Sequence, residues 1–235
     1  MRSCVVRKHD ENKGKRPSMN NYKFKLSPIN IAFLVVFLIL LIDQLIKFWI
    51  KTNMIIGESF PVFGNWFLIH FTENEGMAFG MTLGGVVGKY LLTIIRIAAV
   101  VGIGWYLNSL IKAHNATRGV VIGISFVLAG ALGNIFDSVF YGVLFSESYG
   151  QVAQLFPEAG GYAPWFQGHV VDMLYFPLIE GHFPSWFPFW SNDHFLFFRP
   201  VFNIADSAIT CGVVYLVLFQ GKYFKALEKK KENNS

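Results

Sequence analysis

The chain has 235 residues, of which 53% are hydrophobic and only 15% charged, with a mean hydropathy of +0.42. That balance is poor for a water-soluble globule and natural for a helix bundle dissolved in lipid. The net charge of +5 does not indicate a nucleic-acid binder, because the basic residues are sorted along the chain in a pattern that membrane topology explains.

Residues 1–27 read as a charged tail, with Arg2, Arg7, Lys8, Lys13, Lys15, Arg16, Lys23 and Lys25. Ser27-Pro28 then has the form of an N-cap followed by proline at the first helical position. An apolar run over 29–50 is long enough to cross a hydrocarbon core, which needs about 20 residues. It is too long for the core of a removable signal peptide, and no small-residue cleavage pattern follows it. Residues 52–88 contain Phe60-Pro61-Val62-Phe63-Gly64 and an alternating stretch from Trp66 to Phe71, which predict short β-strands lying on the membrane surface.

Further spans are predicted over 90–111, 120–141 and 202–224. The connection between the last two, 142–201, is long and rich in Trp, Phe and Pro, and reads as an ordered aromatic cap on the membrane interface. The membrane unit is 28–225, and 226–235 is a second basic tail. The fold class expected is all-α integral membrane: four transmembrane helices, a small β-sheet and an enlarged loop cap at the outer surface.

Basic residues crowd both tails and the second connection (Lys112, Arg118), whereas the first and third connections carry Glu58, Glu73, Glu75, Glu147, Glu158, Glu180 and Asp193. The positive-inside rule therefore predicts both termini in the cytoplasm and both acidic connections outside. Cys4 lies in the first tail and Cys211 inside the fourth span, so no disulfide framework is expected. His169, His182 and His194 lack the spacing of a metal site, and no metal or cofactor is expected.

Charged groups inside a span cost at least about 2.5–3.5 kcal/mol near the helix centre, so they default to pairing or function. Asp43 and Lys47 are one turn apart in the first span and can pair. Asn134 and Asp137 share one face of the third span, beside Gly130 and Gly133, which permit close approach of a neighbour. Asn203 and Asp206 repeat that spacing in the fourth, and Asp172 sits in the cap. Although the helices alternate in direction, all four carboxylates fall at one depth. Such a cluster suits a pair sharing one proton, in which an ionised carboxylate activates water and a protonated one polarises a carbonyl. The spacing leaves open which two form the pair, and Asp137 competes with Asp172. A proton-coupled transporter and a non-catalytic scaffold remain as alternatives, although the acids form no path across the membrane. Arg96, within the second span, has no account at this stage.

Five segments occur in an order that resembles bacterial lipoprotein signal peptidases: Asp43-Gln44, Asn74-Glu75-Gly76-Met77-Ala78-Phe79, Gly133-Asn134-Ile135-Phe136-Asp137, Val170-Val171-Asp172 and Phe202-Asn203-Ile204-Ala205-Asp206. The resemblance spans roughly 40–210. It implies an aspartic endopeptidase of the bacterial inner membrane that removes signal peptides from diacylglyceryl-modified prolipoproteins, cutting just before the lipidated cysteine. The catalytic pair would be Asp172 and Asp206, near the outer leaflet. Asn134, Asp137 and Asn203 would hydrogen-bond around it, with Ala205 in the same motif, Asp43 would support it structurally with Lys47, and Asn74 and Gly76 would bind substrate from the surface sheet. Membrane lipid and the lipoprotein precursor are the partners implied; a monomer is expected. Two departures stand out. Ser138 follows Asp137 where the family usually has Arg, with Arg199 and Lys47 as candidate substitutes. The stretch from Val139 to His169 reads as an insertion, which would shape substrate access.

Overall fold

The structure, a computed structural model, describes residues 26–74, 85–113, 116–177, 179–182, 194–197 and 201–232. Helix α1 spans Pro28–Asn53, with Ser27 accepting from the Asn30 amide and proline opening the first turn; this is the start the sequence predicts. Helix α2 spans Gly85–Lys112. Helix α3 spans Arg118–Phe136, capped by Thr117, and continues through a π-helical turn, Asp137–Tyr141, into a short α4, Gly142–Leu144. Helix α5 spans Ile204–Glu232. Among the described residues, four helical segments, with α3 to α4 as one, are long and apolar enough to cross a membrane. Their outward faces carry Phe33, Leu45, Ile94, Trp105, Val217 and Leu218, all more than half exposed, as a lipid-facing surface requires.

Helix α3 is central, packing against α5, α1 and α2. Close approach to α5 depends on Gly130, where an added Cβ would fall 2.1 Å from the Ala205 carbonyl oxygen. One apolar cluster, of Ala32, Leu107, Leu110, Val120, Val121 and Ile124, fills one end of the bundle.

At the other end lies an antiparallel sheet of order β1-β2-β3-β6. It comprises β1 (Ser59–Phe63) and β2 (Phe67–Asn74), then β3 (Val170–Tyr175) and β6 (Val201–Phe202). Pro61 sits in β1, an edge strand, where a missing amide donor is tolerated. Helix α5 starts after Phe202 because Val201 and Phe202 pair with Tyr175 and Leu174. A separate pair joins β4 (Ile179–His182) to β5 (His194–Phe197).

The long connection after α4 is an integral layer of this end. Its backbone folds back on the π turn: Gly168 N donates to Ser138 O (2.9 Å), Phe166 N to Val139 O (3.2 Å) and Ala163 N to Gly142 O (3.0 Å). These bonds satisfy carbonyls that the end of a helix leaves without partners. Phe145 and Ala153 then join Ile50, Met54, Phe71, Tyr141, Val171 and Met173 in a second core beneath the sheet.

Candidate active site

The four intramembrane and cap acids converge where α1, α3, α5 and β3 meet, and they divide into two linked groups. In the first, Lys47 Nζ lies 2.9 Å from Asp43 Oδ2 and 2.7 Å from Asp137 Oδ2, with all three side chains fully buried. It also donates to Asn134 Oδ1 at 3.3 Å. Gln44 Nε2 donates to Asp137 Oδ1 (2.9 Å) and Asp43 Oδ2 (3.1 Å), and Tyr141 OH holds Gln44 Oε1 at 3.0 Å. Each carboxylate also grips a backbone amide. Asp43 Oδ1 accepts from Ala205 N at 2.9 Å, and Asp137 Oδ2 accepts from Val171 N at 3.3 Å. One ammonium therefore ties together the two backbone segments that carry Asp206 and Asp172. Gly133 makes room for this, since an added Cβ would lie 2.7 Å from Asp43 Oδ2.

The second group is a chain of amides between two carboxyls. Asn203 Nδ2 donates to Asp172 Oδ1 (2.7 Å) and to Asn134 Oδ1 (3.1 Å). Asn134 Nδ2 donates to Asp206 Oδ1 at 2.7 Å. Asn203 Oδ1 in turn accepts the Asp206 amide (2.9 Å), capping α5. Asn74, at the end of β2, reaches Asp172 Oδ2 at 3.4 Å. Asp172 is buried at 3% exposure, while Asp206 is half-buried. Burial pushes the Asp172 carboxyl up and the Asp206 charge adds to it; hydrogen bonds from Asn74 and Asn203 and the Lys47 charge hold it at about 7. The two acids thus feel each other's charge, and one proton between them is favoured near neutrality.

A third cluster, absent from the sequence reading, locks the cap down. Buried Lys51, one turn beyond Lys47, pairs with Glu73 of β2 and donates to Ser148 Oγ at 3.0 Å. Ser148 donates to Glu73 Oε1 (2.9 Å), and His169 Nδ1 lies 3.0 Å from Glu73 Oε2. Burial raises the Glu73 carboxyl, but the His169 hydrogen bond and the Lys51 charge outweigh it and hold it at about 2. The Lys51 ammonium also faces the Phe145 ring (5.3 Å) and the Tyr162 ring (4.8 Å).

Asp43, Lys47, Asn74, Asn134, Asp137, Asp172, Asn203, Ala205 and Asp206 are thus brought together, whereas Gly76 and Arg199 lie outside the described residues. Lys47 is fully engaged by Asp43 and Asp137. The side chain that meets Ser138 is Arg96, whose Nη1 donates to Ser138 Oγ at 3.4 Å. Gln44, Tyr141, Lys51, Glu73 and His169 were assigned no such roles by sequence. A second lysine one turn after Lys47, in an apolar helix, was the legible signal for Lys51. Among the described residues, no three His, Cys, Asp or Glu side chains are grouped to hold a metal ion.

Residues 35–221 match the family described as signal peptidase (SPase) II. The chain belongs to the signal peptidase II family. Over 200 residues it is 48% identical to a lipoprotein signal peptidase of Porphyromonas gingivalis, covering 85% of this chain and 87% of that protein. A lipoprotein signal peptidase of Amoebophilus asiaticus is 41% identical over 187 residues, 78% of this chain and 75% of that one. Among solved structures, a bacterial membrane enzyme determined by the in meso method at 2.3 Å superposes with a TM-score of 0.52 at 27% identity, covering 88% of this chain and 93% of that chain. As a signal peptidase II family member, the protein is a peptidase. With four apolar helices, it is a multi-pass protein of the bacterial inner membrane.

Proposed function

We propose that the protein removes signal peptides from diacylglyceryl-modified prolipoproteins, cutting just before the lipidated cysteine, with Asp172 and Asp206 as the catalytic pair. The observation that carries this reading is the amide chain Asp172–Asn203–Asn134–Asp206, which fixes two carboxyls at one site with one of them holding its proton near pH 7. The ionised carboxyl takes a proton from water as it attacks the scissile carbonyl. The protonated one donates to the carbonyl oxygen, and the gem-diol collapses with proton return to the leaving amine. No covalent acyl-enzyme forms, and no metal or other cofactor is required. Proton transfer of this kind contributes about 10²–10⁴-fold, and positioning and electrostatics contribute the rest.

Asp137 and Asp43 act here as positioning groups, because both are spent on Lys47 and on backbone amides. Asn74, which ends β2 beside Asp172, and Gly76 bind the substrate backbone. The precursor enters laterally from the bilayer, and the lipid-facing surface of the bundle supports that route. Both termini are cytoplasmic and the site lies near the outer leaflet, in keeping with the distribution of basic residues. The enzyme works as a monomer and binds no nucleic acid.

The test uses purified protein in lipid with a diacylglyceryl-modified precursor. Wild type should release the signal peptide, and Asp172→Asn and Asp206→Asn should each lose the activity by several orders of magnitude. Cleavage at near wild-type rate by either variant would end the two-aspartate mechanism.

A further inference from the structure

Arg96 lies inside α2, in the run between Tyr90 and Ile111 that is otherwise apolar apart from a few neutral polar side chains. A guanidinium there costs at least about 2.5–3.5 kcal/mol unless something offsets it. What offsets it leads to the catalytic pair. Arg96 Nη1 donates to Ser138 Oγ at 3.4 Å, Ser138 Oγ donates to Asn134 O at 2.9 Å, and Asn134 Nδ2 holds Asp206 at 2.7 Å. The Arg96 guanidinium is within electrostatic reach of Asp206, Asp172 and Asp137.

Among the described residues, the charged groups around this site are Asp43 and Lys47 of α1, Arg96 of α2, Asp137 of the π turn, Asp172 of β3 and Asp206 of α5. Four carboxylates thus face two cations, and Lys51 of α1, paired with Glu73 of β2, adds a third positive charge within reach of Asp137. Lys47 is held between Asp43 and Asp137 at 2.9 and 2.7 Å, and from there its charge acts on Asp172. Arg96 approaches from the α2 side, through Ser138 and Asn134, next to Asp206.

We propose that Arg96 is a positioning residue which, across Ser138, supplies the positive charge that keeps one carboxylate of the Asp172–Asp206 pair ionised at working pH. The proposal rests on the two-aspartate reading above. It assigns Arg96 a role in proton balance and none in binding substrate. A cation beside a carboxylate favours the ionised form, typically by 1–3 units. Without Arg96, the pair takes its second proton at higher pH and the water-activating carboxylate is lost from the acid side.

The experiment measures kcat and KM against pH for the lipid-embedded enzyme with a diacylglyceryl-modified precursor. Arg96→Gln should move the acid limb of kcat/KM up by about one pH unit, lowering kcat at pH 6 to 7 with KM little changed. Arg96→Lys should keep the limb near its wild-type place. Because Arg96 and Ser138 are in contact, Arg96→Ser combined with Ser138→Arg returns a guanidinium to the same neighbourhood, and should restore the limb that Arg96→Ser alone displaces. An unshifted limb in Arg96→Gln, or an Arg96→Lys variant that behaves like Arg96→Gln, overturns the proposal. Should Arg96→Gln fail to fold, the pair of Arg96→Ser and its relocated double decides, and a double that leaves the limb displaced overturns it. Asp172→Asn and Asp206→Asn run beside these: their retained cleavage sinks the aspartic mechanism itself, whereas their inactivity with an unshifted Arg96→Gln profile sinks only the role of Arg96.

Discussion

Asp172 and Lys47 are both buried ionisable side chains, and they are stabilised in opposite senses. Asp172 holds its proton up to about pH 7 because burial disfavours its charge, and Asp206 adds to that; an unperturbed Asp releases it near 3.9. An acid whose proton affinity rises on folding costs stability once the pH exceeds its unfolded value, and the cost grows until the folded value is passed. Asp172→Asn should therefore melt higher than wild type at pH 8, match it near pH 4, and cleave nothing. A lower melting temperature at both pH values would show that the carboxyl is a structural asset. Lys47 is the reverse case. Its removal as Lys47→Met leaves Asp43 and Asp137 buried without a cation, a change that costs about 3–5 kcal/mol. Thermal unfolding in detergent should register that loss, together with lost activity, since Val171 N and Ala205 N would lose their anchored acceptors.

At the scale of elements, the sequence made some features plain and hid others, for physical reasons. Apolar runs announce spans because lipid admits little else, and the alternation from Trp66 to Phe71 announced β2. The start of α5 was misplaced by two residues because Val201 and Phe202 are apolar enough for lipid but are claimed by a strand partner, Leu174-Tyr175. The helix also runs on to Glu232, past the expected end at 224. The π turn left no trace, because its residues, Asp137–Tyr141, differ from α-helix only in how the backbone bonds close. Long-range polar partners were equally hidden: nothing local says that Lys51 meets Glu73, or that Arg96 meets Ser138. Spacing put Asn134 and Asp137 on one helix face, but only the fold reveals that one serves Asp206 and the other Val171 N.

The cap read as an insertion, yet Phe145 and Ala153 are core and Glu73 latches the cap through Ser148 and His169. Glu73, held at about 2, gives stability that is complete above its unfolded value near 4.3 and is lost as the pH falls toward 2. Proteolysis of the 146–169 segment by an acid-active protease should therefore rise between pH 5 and pH 2.5. Glu73→Gln should be cut readily at every pH, and a variant as protected as wild type at pH 5 would deny the latch. Gly130 tests the other joint: Gly130→Val would set its Cβ 2.1 Å from the Ala205 carbonyl oxygen, must push α5 away, and should reduce cleavage without requiring any change in the aspartates themselves.

For the molecule as a whole, the decisive question is which side of the membrane the sheet end faces. An exported, lipid-modified precursor reaches this site only if the sheet and cap lie outside. Lys112 and Arg118 lie at the opposite end of the spans from Glu58 and Glu147, and the positive-inside rule predicts that this basic end faces the cytoplasm. Two surface positions report the answer directly. Tyr149, on the cap, is 69% exposed, and Ala113, after α2 at the basic end, is also exposed. With Cys4 and Cys211 changed to serine, Tyr149→Cys should react with a membrane-impermeant maleimide on intact spheroplasts. Ala113→Cys should react only after the membrane is permeabilised. The reverse pattern would put Asp172 and Asp206 on the cytoplasmic side, where a precursor lipidated after export has no access, and the assigned substrate would then have to be abandoned even with the catalytic pair intact.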